Sequence, residues 1–199
     1  MKMSVVGPEF KKRYLSNKET PNSFTVKAIV FDGPEHYHKE INNPELKIDE
    51  NCILIIRGCG PIGYPGAAEV VNMQPPDYLL KKGISSLPCL GDGRQSGTSE
   101  SPSILNVSPE AAIGGGLSIL KNGDLIKIDL ASKRVDLLLD EKDIAVRKNN
   151  TNFIFPNNQT PWQEISRKFT GQLSNGACMD LEENYFDIAR TKGIPRDSH

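Results

Sequence analysis

Histidine, tryptophan and cysteine are scarce in this chain, with three, one and four among 199 residues. Cys52, Cys59, Cys89 and Cys178 show no Cys-x-x-Cys spacing and no adjacent histidine. That argues against a zinc site and a disulfide framework and leaves reduced, mostly buried thiols as the expectation. His36 and His38 fall two apart within a predicted short helix, Glu35 to Ile41, so they point to different faces and do not chelate one metal as an i, i+4 pair would. Both are expected as surface or second-layer residues. An excess of one charge is missing too: 24 basic residues face 25 acidic ones, for a net charge of −1, and nothing points to a nucleic-acid or acidic-lipid partner. No apolar run approaches the roughly 20 residues needed to cross a bilayer, and Met1 to Arg13 has no signal-peptide core. The expectation is a soluble, cytoplasmic protein with neither a membrane nor a nucleic acid as partner.

Glycine and proline, at 17 and 14 residues, are plentiful and clustered. The stretch Gly91-Asp92-Gly93-Arg94-Gln95-Ser96-Gly97-Thr98 packs three glycines into seven positions. Such spacing lets backbone N–H groups turn inward around an anion or ligand. Ser96 lies inside it. A serine hydroxyl becomes a base or nucleophile only where neighbouring groups stabilise its alkoxide, and Arg94 and the loop N–H groups are the local candidates. By itself the pattern also fits a surface turn. A second glycine-rich turn runs from Arg57-Gly58-Cys59-Gly60-Pro61-Ile62-Gly63-Tyr64-Pro65-Gly66 to Glu69. A third follows Ser108-Pro109-Glu110 at Gly114-Gly115-Gly116.

The intervening chain reads as mixed α/β. Phe24 to Phe31 is β-branched and aromatic and ends at Asp32-Gly33-Pro34, which predicts a strand. Cys52 to Arg57 is a continuous apolar run, expected as a buried central strand that delivers the Gly58–Gly66 turn to one end of the sheet. Ala67 to Val71 predicts a short helix with Glu69 in its first turn, where a carboxylate complements the helix dipole. Asp77 to Lys82 predicts a helix, Ile84 to Leu90 a strand, and Ser108 an N-cap with Pro109 at the first helical position. Leu117–Leu120, Leu125–Leu130 and Arg134–Leu139 predict three strands, the first pair joined by an Asn122-Gly123 hairpin. A helix is expected over Glu141 to Lys148. Residues 149–160 read as a linker, and Thr160-Pro161 opens a helix. The fold expected is α/β: a mixed, barrel-like curved sheet flanked by helices over 1–148, both glycine loops at one rim, then a linker and C-terminal helical arm over 149–199.

These glycine blocks, in this order, resemble the C-terminal half of the dihydroxy-acid and phosphogluconate dehydratase (IlvD/Edd) family. The run GDGRQSGTSESPS resembles members acting on sugar acids such as arabinonate and xylonate more than the branched-chain amino-acid enzyme, whose dihydroxy acid is the alternative substrate. Family members are much longer and carry an N-terminal iron–sulfur domain first. A chain starting here is therefore expected to be the second domain alone, and activity is not expected of it by itself.

The resemblance implies a hydro-lyase that removes the C2 proton of a 2,3-dihydroxy acid and releases the C3 hydroxyl, with Lewis-acid help from a [2Fe-2S] cluster, giving a 2-keto-3-deoxy acid. It implies Ser96 as the base, Thr98 with Gly97 and Arg94 as substrate contacts, and Glu69 as one ligand of a partial magnesium site. The cluster ligands of the family match none of the four cysteines. Partners implied are a small sugar acid, an N-terminal dehydratase domain or homologous subunit, and further copies in a homo-oligomer. The C-terminal Gly193 to His199 resembles the family's ending but departs at Asp197 and Ser198, which leaves a role for His199 open. A non-catalytic module that binds an acid or a full-length subunit is the alternative reading.

Overall fold

The computed structural model describes residues 6–66, 72–94, 103–158, 160–179, 187 and 190–193. The predicted helix at Ala67–Val71 with Glu69, the Ser96–Thr98 stretch and His199 lie outside the described residues. Six strands form one sheet: β1 (Ser23–Asp32), β2 (Cys52–Arg57), β3 (Cys89–Gly91), β4 (Ser103–Ile104), β5 (Leu125–Asp129) and β6 (Arg134–Leu137). Their spatial order is β4-β3-β2-β1-β5-β6, curled into a half-barrel. β1 to β4 pair in parallel, whereas β5 and β6 are antiparallel additions on the β1 side.

Period-two alternation sorts the strand residues into two cores, one on each face. Val26, Ala28 and Val30 of β1 join Ile53 and Ile55 of β2 and Ile126 and Ile128 of β5, covered by Phe10 and Tyr14 of α1 (Pro8–Tyr14). Ile29 and Phe31 join Cys52, Leu54, Ile56 and Cys89 on the other face, beneath Tyr37 of α2 (Gly33–Glu40) and Leu79 of α3 (Asp77–Leu80). Burial on both faces is why β2 reads as an unbroken apolar run.

Several sequence expectations give way to tertiary contacts. The strand expected over Ile84 to Leu90 shrinks to Cys89–Gly91, because Pro88 has no N–H to donate to a ladder. Leu117–Leu120 is not a strand: Gly116–Ile119 forms a 3₁₀ turn whose carbonyls are drawn onto Arg57. Asn122-Gly123 consequently joins no hairpin, and instead the Asn122 Oδ1 accepts the Val30 N–H at 2.6 Å. The hairpin of this region is β5–β6, turned at Ala131 to Lys133 with Lys133 at φ 56°. Ser108 does not cap a helix starting at Pro109; the Ser108–Pro109 peptide is cis, and a 3₁₀ turn begins at Ala111 with Glu110 extended before it.

α4 (Glu141–Asn149) buries no residue. Arg147 moors it, donating through both terminal nitrogens to Asp124, whose side chain is 9% exposed, and also to the Ile119 carbonyl at 3.1 Å. Burial pushes the Asp124 carboxyl up, but the hydrogen bonds from Arg147 and the Lys121 N–H outweigh it and hold the group below the usual carboxylate range. A depressed folded-state value means the contribution is complete above the ordinary aspartate value of about 4 and is lost as pH falls through the lower folded value. Arg147→Met should therefore cost about 2 kcal/mol at neutral pH. It should also flatten the loss of stability below about pH 4, as followed by urea denaturation across pH.

Candidate active site

Because β1, β2 and β3 run in parallel, their C-terminal ends meet at one rim, where ligands collect in open parallel sheets. Asp32 and Gly33 follow β1, the Gly58–Gly66 loop follows β2, and Asp92 to Arg94 follow β3. Asp92 is fully buried. Its Oδ2 accepts the N–H groups of Gly58 and Ala111 and its Oδ1 that of Cys59, each at 2.9 Å. One side chain thus fastens all three glycine blocks together.

Glu110, also fully buried, does the same for the far side of the Gly58–Gly66 loop. Its carboxylate accepts from the Ile62 N–H at 3.1 Å and the Gly63 N–H at 2.9 Å, which is why Glu110 is extended rather than helical. Gly60 lies flat against this carboxylate, and a Cβ there would overlap Glu110 Oε2. Gly93 is pressed likewise against the Cys59 carbonyl.

The rim carries a cavity of about 430 Å³ lined by Asp32, Glu35, Arg57, Gly58, Tyr64 and residues 151–156. Arg57 is pinned in its wall, with Nε donating to Asp32 Oδ1 at 2.6 Å and Nη1 to the carbonyls of Leu117, Ser118 and Leu120. The segment expected as a linker also lines the cavity: Phe153 packs on the core and its ring occupies the space a side chain at Gly58 would need. His36 is structural, its Nδ1 accepting the Asp32 N–H at 2.9 Å, and His38 meets the Tyr37 ring edge-on.

Of the residues assigned from sequence, Arg94 is described, exposed and two positions from Asp92. Ser96, Gly97, Thr98 and Glu69 lie outside the described residues. The two ends of the 95–102 stretch are fixed side by side, since Asn106 donates to the Gly93 carbonyl at 3.2 Å and Val107 to that of Gly91 at 3.0 Å. Sequence reasoning missed Asp92 and Glu110 as organisers. The available signal was a carboxylate placed between glycines or before small apolar residues, where nothing else offers a charge to bury.

Residues 10–177 match the family described as Dihydroxy-acid/6-phosphogluconate dehydratase C-terminal. The chain belongs to this family. It is 59% identical over all 199 residues to the D-xylonate dehydratase of Caulobacter vibrioides, of which it covers 33%. It is 38% identical over 173 residues, 87% of the chain, to the L-arabinonate dehydratase of Rhizobium leguminosarum bv. trifolii, of which it covers 29%. A dihydroxy-acid dehydratase of Campylobacter jejuni subsp. doylei is 34% identical over 80% of the chain and 28% of that protein. The chain thus spans about a third of the length of the curated relatives it matches.

The described residues do not fit an iron–sulfur cluster. Burial pushes the Cys52 thiol up to about 11 and the Cys89 thiol to about 12 and raises that of Cys59, so these are protonated core thiols, and Cys178 is on the surface. Nor do Asp92 and Glu110 offer a magnesium site, because both oxygens of each are engaged by N–H donors; Asn72 Oδ1 is the buried side-chain oxygen without a hydrogen-bond partner among the described residues. No group of three or more His, Cys, Asp or Glu among those residues is placed to hold a metal.

Removing the Asp92 carboxylate would orphan three buried N–H groups at once. Asp92→Ala should cost about 3 kcal/mol in chemical denaturation, and Asp92→Asn about 2 kcal/mol, since its amide turns a donor toward donors. Iodoacetamide at pH 8 should alkylate Cys178 in the folded protein and reach Cys52, Cys59 and Cys89 only on unfolding, as read by intact mass.

Proposed function

We propose that the chain is the catalytic-base part of a hydro-lyase that converts an aldonic sugar acid to its 2-keto-3-deoxy acid. The observation that carries this reading is the 59% identity, over the whole chain, to a D-xylonate dehydratase. The L-arabinonate dehydratase of Rhizobium leguminosarum bv. trifolii supports the same substrate class. Since the chain spans a third of these relatives, the rest of the site is assigned to a further, N-terminal portion, in the same polypeptide or another subunit. In the same reading, 1–148 is the barrel and 149–199 the linker and arm.

Ser96 Oγ takes the proton from C2 of the bound acid. The C3 hydroxyl departs with a proton as water while the C2–C3 double bond forms, and the resulting enol takes up a proton at C3 and gives up its O–H proton to become the ketone. Thr98, Gly97 and Arg94 hold the substrate around Ser96, the guanidinium opposing its carboxylate. In this reading Asp92 and Glu110 support preorganisation, since they fix the Gly58–Gly66 loop by backbone contacts and Asp92 stands four positions before Ser96 in sequence. Glu69 is the proposed oxygen ligand of a magnesium ion that is completed by the additional portion.

The experiment joins this chain to the N-terminal portion of a D-xylonate dehydratase and assays aldonic acids. Ser96→Ala should lower kcat by at least about 10² to 10⁴-fold without a matching change in KM, as expected of a base that acts in the transition state. Glu69→Gln should be partly restored by added magnesium. Retained wild-type kcat in Ser96→Ala would reassign the loop to binding alone.

A further inference from the structure

Arg167 and Gln172 lie far along the chain from the Gly58–Gly66 loop, one on α5 (Pro161–Phe169) and one just beyond it, yet Arg167 ends on that loop and Gln172 on the Glu110 that holds it. The Ile62 peptide is held from both sides. Glu110 accepts its N–H, and Arg167 Nε donates to its carbonyl at 2.9 Å. Gln172 then fixes Glu110 reciprocally: its Nε2 donates to Glu110 Oε1 at 2.8 Å, and its Oε1 accepts the Glu110 N–H at 3.1 Å. The same Arg167 donates to the Pro156 carbonyl at 3.3 Å and to Asn158 Oδ1 at 2.6 Å, with its guanidinium 5.0 Å from the Phe155 ring centroid. One guanidinium therefore ties the arm, the glycine loop and the cavity wall together.

Apolar burial does not hold this helix in place. α5 buries none of its residues, and Trp162 is 78% exposed. A capping box at Thr160 and Gln163 lets the helix form locally, while its attachment rests on polar contacts that can be made and released as a unit.

We propose that Arg167 and Gln172 are positioning residues through which docking of the C-terminal arm sets the conformation of the Gly58–Gly66 loop. The inference rests on reading that loop as part of the dehydratase site. The arm then acts on the site through a peptide, not through the substrate. An undocked arm would leave the partly buried Glu110 N–H and Ile62 carbonyl without their protein partners, so loop and arm would loosen together.

The test compares the full chain with Arg167→Met, Gln172→Ala and Arg167→Lys. Trp162, the single tryptophan, reports arm mobility through fluorescence anisotropy, and amide hydrogen exchange at Ile62 and Gly63 reports the loop. Arg167→Met and Gln172→Ala should lower the anisotropy and speed exchange at Ile62 and Gly63 by roughly tenfold, with the β2 amides of Leu54 and Ile55 unchanged. Arg167→Lys keeps one donor for the Ile62 carbonyl and should restore most of the protection. Lower anisotropy with unaltered exchange at Ile62 and Gly63 would overturn the proposal, as would a uniform rise that includes Leu54 and Ile55. Turnover of aldonic acids by the wild-type fusion tests the dehydratase reading separately, and the exchange result stands whatever that turnover is.

Discussion

A carboxylate with no exposed surface, Asp92, is the constraint on which the rim depends. It stands at the end of a three-residue strand that could not by itself orient two loops, and it accepts N–H groups from residues 33, 34 and 19 positions away in sequence. Burying a charge costs heavily unless hydrogen bonds replace water, and three donors at 2.9 Å do so here. The exchange is mutual. Backbone that turns sharply after a strand has donors with no ladder partner, and the carboxylate supplies what the ladder cannot.

The same rule organises the rest of this edge, with the sign of the side chain matched to the backbone group it serves. Asp92 and Glu110 take up loop N–H groups, while Arg57 donates to the carbonyls of 117, 118 and 120, Arg147 to that of 119 and Arg167 to that of 62. Apolar side chains build the two faces of the sheet and ionised ones build its end. Substitutions in the strands should therefore act mainly through packing, and those at the rim through satisfied or unsatisfied polar groups.

Membership of the dehydratase family gives this rim its significance. The chain is about a third as long as its curated relatives, and at its rim Cys59 is buried while Asp92 and Glu110 are committed to backbone N–H groups. What the described chain brings is a preformed platform: Gly91 and Gly93 tied to Val107 and Asn106, the Gly58–Gly66 loop gripped from two sides, and a cavity between Gly58, Tyr64 and residues 151–156.

The sequence alone determined the class of fold and the principal strands. β1 and β2 were legible because their residues are apolar or β-branched over a full strand length, and α5 because Thr160-Pro161 encodes its own start. The glycine blocks could be recognised, and with them the family, since a glycine pressed against another backbone leaves its mark in sequence. Tertiary structure alone decided the rest. Leu117–Leu120 is apolar enough for a strand but became a 3₁₀ turn because Arg57, 60 residues away, needs its carbonyls. Pro109–Glu110 has a helix-start signature, but Glu110 is extended, because it is required 47 and 48 residues back at Gly63 and Ile62. Phe153 sits in a polar stretch that looks like a tether, yet it fills the space above Gly58. Local propensity governs where a residue's partners are its sequence neighbours. Where one buried charge must satisfy distant backbone, the partner overrides it, and only the folded chain reveals which partner that is.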